Sequence, residues 1–88
     1  MWAVYVEWGE ERNGTTFPAG ADVERFWSEE EARAAYARAV AALRAAGYAP
    51  DPTVSLEGIR GARVLAACGL SRGADLAIVA LWREEEGA

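Results

Sequence analysis

Hydrophobic and polar positions alternate strictly over residues 2–8. Trp2, Val4, Val6 and Trp8 share one face, and Ala3, Tyr5 and Glu7 share the other. A period of two in aromatic and β-branched residues predicts a strand with at least one buried face. From position 9 to 20 the chain turns polar. Asn13-Gly14 supplies two residues that tolerate positive φ, the requirement of a tight hairpin turn, and Pro18-Ala19-Gly20 reads as a second turn. A second strand falls at 15–17 or at 22–27. The latter is preferred, because Phe26-Trp27 runs straight into a helix cap.

The helix is the most fully specified element. Ser28 and Glu31 have the spacing of a capping box, in which hydroxyl and carboxylate each take the other's backbone N–H. Glu29, Glu30 and Glu31 fill the first turn, where the helix dipole favours negative charge. Ala32, Ala35, Tyr36, Ala39, Val40 and Leu43 then fall on one stripe at three- and four-residue spacing. Gly47 is suited to the left-handed position after the helix, and Tyr48 to the hydrophobic contact that closes a Schellman motif. The predicted span is 29–46.

Beyond an irregular stretch with one turn at 54–59, two more strands are expected. Residues 62–69 place Arg63, Leu65 and Ala67 opposite Val64, Ala66 and Cys68. Ser71-Arg72-Gly73 reads as a short connection. Residues 74–83 are apolar on both sides, with Leu76, Ile78, Ala80 and Trp82 against Ala77, Val79 and Leu81. A strand of that kind is covered on both faces or pressed against another chain. The pattern predicts one α+β domain over 1–88. It is an antiparallel sheet of three to four strands in β(β)αββ order, with one long amphipathic helix on one face. The ordered core spans about 2–83 and an acidic tail follows at 84–88.

Phe26-Trp27-Ser28-Glu29-Glu30-Glu31-Ala32, continuing to Ala46-Gly47-Tyr48, resembles the aromatic, cap, helix and Gly-Tyr passage of several small βα modules, peptidoglycan-binding SPOR repeats among them. The resemblance covers about a quarter of the chain and consists of helix punctuation. The rest does not follow that family's second half.

Composition narrows the chemistry. There is no histidine, which removes the commonest general base and metal ligand. All nine basic residues are arginine, so Schiff-base chemistry and a phosphate-loop lysine are absent as well. Cys68 is the single cysteine; an apolar strand position points to an inert buried thiol. A net charge of −5 opposes the counterion release that drives nucleic-acid binding. No apolar run nears the roughly 20 residues that span a bilayer, and the N-terminus lacks signal-peptide features. A cytoplasmic protein is the expectation.

The local clusters read as structural. Glu29, Glu30 and Glu31 are splayed by about 100° per residue and cannot converge on one ion. Residues 69–73 join two strands without leading into a helix, so no helix N-terminus would face an anion there. Neither a metal nor a cofactor is expected. Four tryptophans, Trp2, Trp8, Trp27 and Trp82, suit either a small core or an interface. Since one helix cannot cover both sides of a sheet, the expected partner is a second copy. Tyr5, Leu65, Ala77, Val79, Leu81 and Trp82 are the candidate contact residues.

The function expected is a non-enzymatic, self-associating or protein-binding domain. The alternative is a small ligand-binding or cofactor-free enzyme domain with a Trp-lined pocket at a dimer interface, where Glu7 would move protons. A third reading is an acidic inhibitor of a basic protein. With no histidine and one thiol, a chelator should leave the thermal unfolding curve in place. A fall of several degrees, restored by one divalent ion, would overturn that expectation.

Overall fold

The computed structural model describes residues 1–59 and 63–84. Its strands are β1 (Trp2–Arg12), β2 (Thr15–Phe26), β3 (Ala49–Pro50), β4 (Val64–Arg72) and β5 (Asp75–Arg83). The helix α1 (Glu29–Ala45) follows β2, and a 3-10 turn (Glu57–Ile59) precedes β4. All five strands form one antiparallel sheet in the order β2-β1-β5-β4-β3. The class is the expected α+β with a single helix. The strand count exceeds the expected three to four, because β3 adds a two-residue edge.

Asn13 (φ 53°) and Gly14 (φ 80°) make the tight turn between β1 and β2, as the sequence predicted. The two alternative positions for the second strand prove to be parts of one continuous β2. The turn expected at Pro18-Ala19-Gly20 is instead a bulge: Trp8 pairs with Gly20 and Gly9 with Pro18, leaving Ala19 over. An edge strand tolerates a proline that a central strand would not. In this setting the bulge absorbs it.

Ser28 caps α1, its hydroxyl accepting the Glu31 N–H at 3.4 Å. The reciprocal bond from the Glu31 carboxylate is not among the hydrogen bonds of the described residues. At the other end, Tyr48 N–H donates to the Leu43 carbonyl and Gly47 N–H to that of Arg44, both at 3.0 Å. Gly47 takes φ 97°. This is the predicted Schellman motif, with the helix ending one residue early at Ala45. Arg72 on β4 secures that end. It donates to the Ala46 carbonyl at 2.8 Å and lies 4.7 Å from the Tyr48 ring centroid.

Ala32 and Ala35 of α1 pack with Val4, Leu70, Val79 and Leu81 to form the core, joined at its margin by Trp2, Val6, Phe26, Tyr36 and Leu43. A bulge between Val64 and Ala66 breaks the alternation expected along β4. Val64 pairs with Trp82, whereas Ala66, Cys68 and Leu70 turn to the helix side. β4 also runs on through Ser71-Arg72, and the connection moves to Gly73 (φ 58°) and Ala74. The expected start of this strand at residue 62 lies outside the described residues.

The sheet's second face gets part of its cover from residues 51–59. The Asp51 carboxylate accepts the Thr53 N–H (2.9 Å), the Thr53 hydroxyl (2.6 Å) and the Ser71 hydroxyl (2.7 Å), pinning this segment to β4. Val54 is thereby laid on Gly69, where an added Cβ would stand only 2.6 Å from the Val54 Cβ. Gly69→Ala should cost about 1–3 kcal/mol, the usual penalty of overpacking. Adding Val54→Gly, which removes the Cβ that clashes, should make the Gly69→Ala step cost less than it does in the wild type, and urea denaturation midpoints of the single and double variants would measure both effects.

Candidate functional site

Beside an open apolar cleft where Tyr36, Val40 and Arg44 of the helix face Pro50, Cys68 and Leu70, two further surfaces remain among the described residues after the helix and residues 51–59 have taken their places. One is a groove on the second face. Glu7, Gly9, Leu76 and Ile78 share that face by register and form its floor, while Val54, Ser55, Ile59, Thr16 and Pro18 form its walls. The cavity is about 280 Å³. Among the described residues that line it, Glu7 alone is ionisable. The Tyr5 phenol lies beside Glu7, and partial burial, followed by the Glu7 charge, pushes its ionisation above the usual tyrosine range. Tyr5 also packs against Trp82, ring centroids 5.6 Å apart.

The other surface is the far end of the β1–β2 hairpin, which helix α1 does not reach. Trp8 and Phe17 occupy neighbouring strands there and are 37% and 48% exposed. Trp8 lies against Gly20, and the Arg12 guanidinium sits 5.5 Å from the Phe17 ring centroid while pairing with Glu10 at 3.1 Å. The most exposed aromatic, Trp27 at 73%, stands apart at the entry to the helix.

The expected contact residues are therefore divided. Ala77, Val79 and Leu81 are fully or almost fully buried, and the last two pack in the core under the helix. The exposed-face expectation for them is corrected: the side of β5 away from the helix carries Leu76, Ile78, Ala80 and Trp82. The reason is that periodicity separates two faces without saying which one the helix takes. Tyr5 and Trp82 do share the second face, and Leu65 is exposed at the β4 bulge. The signal that sequence reasoning passed over is Gly9, whose missing side chain keeps the groove floor open. A Cβ there would meet the Phe17 carbonyl oxygen at 3.2 Å.

The remaining polar groups have local duties. Glu84, expected to begin a solvated tail, accepts Arg25 Nε at 3.0 Å and Trp82 Nε1 at 3.3 Å; residues 85–88 lie outside the described residues. Cys68 is half-buried under the helix beside Tyr36, whose ionisation burial pushes well above its usual range, with the neighbouring thiol adding to the effect. Among the described residues no three potential ligands gather as a metal site, and no helix is long and apolar enough to cross a membrane. Compared with protein-family models, curated proteins and solved structures, the chain finds no match.

Three carboxyls lie below their ordinary range. The Thr53 and Ser71 hydroxyls and the Thr53 N–H lower Asp51, Arg25 and Trp82 lower Glu84, and Arg12 lowers Glu10. Their folded pKa values are thus below the unfolded ones, so acid adds more protons to the unfolded chain. The stabilisation is complete above the ordinary carboxylate range, about pH 4, and is lost as pH falls through the folded values. Ser71→Ala should flatten this acid-side loss, which urea midpoints between about pH 6 and about pH 3 would record.

Proposed function

We propose that this chain is a non-enzymatic domain that associates with a second copy of itself through the distal β1–β2 hairpin. The observation that carries this reading is the exposed Trp8–Phe17 pair on a hairpin end the helix leaves bare. Tryptophan and its aromatic neighbours are leading interface anchors. The need for further buried area supports it too. Leu70, Leu81 and Val79 are the largest side chains fully buried in the described chain, a modest core for a domain of this size.

Association moves here from the sheet face expected by sequence to the arm. A twofold pair of arms would bring each Trp8–Phe17 patch against its equivalent, the commonest symmetry of soluble oligomers. Sedimentation equilibrium tests the reading. The wild-type mass should rise with concentration from 9.5 kDa towards twice that value. Trp8→Ser with Phe17→Ser should hold it at the monomer, while Leu65→Ser should leave association intact. A wild-type mass independent of concentration would remove the proposal.

A further inference from the structure

We propose that the groove on the second face binds a small organic cation, a protonated amine carried on a compact apolar body, with Glu7 as its counter-ion. Leu76, Ile78, Val54 and Ile59 give the groove an apolar interior. Ligand sites commonly combine such a lining with a few placed polar groups. Here the charged group is one carboxylate, and the described lining supplies no cation to neutralise it. Glu7 takes no part in the ion pairs Arg12–Glu10, Arg25–Glu84, Arg33–Glu29 and Arg72–Asp75. The Tyr5 phenol hydrogen-bonds Glu7 but is neutral, so a neutral apolar guest would leave the carboxylate without a counter-charge, and an anion would be repelled. Charge complementarity selects an amine.

The groove also sets the size. At about 280 Å³ it holds the volume of roughly nine waters, taking about 30 Å³ for each, so a guest of about ten heavy atoms fits. The floor is preformed by strand register: Glu7 pairs with Ile78 and Gly9 with Leu76, which fixes the carboxylate beside the apolar surface. Tyr5, two residues back on the same strand face, flanks Glu7 on the side away from Gly9. Trp8 borders the groove, but by register its side chain lies on the face opposite Glu7 and Gly9, so this site does not rest on self-association.

The test is a ¹⁵N-correlation NMR titration of the full chain with 2-phenylethylamine hydrochloride, 2-phenylethanol and 3-phenylpropionate. The amine should shift the amides of residues 7–9 and 76–78 saturably, in the millimolar range usual for so small a ligand. It should bind about three- to tenfold more tightly than the alcohol, with the carboxylate weakest. Glu7→Gln should abolish the preference for amine over alcohol. Glu10→Gln, which removes an equal charge outside the groove, should retain it. Added salt should reduce the wild-type preference, a readout that needs no variant. Equal binding of amine and alcohol to the wild type would overturn the proposal. So would shifts confined to other residues, or a preference that survives Glu7→Gln.

Discussion

The close approach of Ala32 and Ala35 to Val4, Leu70, Val79 and Leu81 places α1 on the sheet, and the distribution of everything else follows from it. Alanine brings the helix backbone near the strands but contributes little breadth. A 17-residue helix is about 25 Å long and about 10 Å wide, while neighbouring strands lie about 4.8 Å apart. It leaves β2 at Ser28 and finishes against Arg72 on β4, so its track crosses the sheet from one side towards the other. The hairpin end beyond Trp8 and the entire second face fall outside that track. Both candidate surfaces originate in this shortage of cover.

The polar contacts reinforce the same arrangement. Asp51, through Ser71 and Thr53, holds the segment that lays Val54 on Gly69 and so raises one wall of the groove. Arg72 ties the end of α1 to β4, and Glu84 links Arg25 on β2 to Trp82 on β5 across the intervening β1. The one ion pair among these contacts, Arg25–Glu84, is too exposed to contribute much on its own. The value of these contacts is positional, since each ties together segments distant in sequence.

Elements governed by neighbours in sequence were legible before the fold was known. The Ser28 cap, the Ala32-to-Leu43 stripe, the Gly47–Tyr48 ending and the Asn13-Gly14 turn depend on residues within a few positions of each other. β2 was not legible as one strand, because residues 15–22 are exposed throughout and impose no alternation. The bulge at Leu65 is equally silent, since it depends on which partner residues β5 presents. The groove was hardest to read. Glu7 could be named from sequence, but its surroundings require Val54 to meet Gly69 across the fold, and a glycine within an apolar strand gives only a hint of such an approach.

The central position of β1 governs how the chain reaches this structure. β1 is hydrogen-bonded along its whole inner length to β5, with Trp2 opposite Arg83 and Glu10 opposite Asp75. The first and last strands are therefore neighbours in the middle of the sheet. During synthesis the β1–β2 hairpin and α1 can form from nearby residues, yet β1 has no partner on its other side until the final strand has emerged. Closing so long a loop is entropically costly, and it places the chain among the slower, high-contact-order folders. Until then β1 presents an open apolar edge, the form in which a nascent chain is most exposed to mispairing.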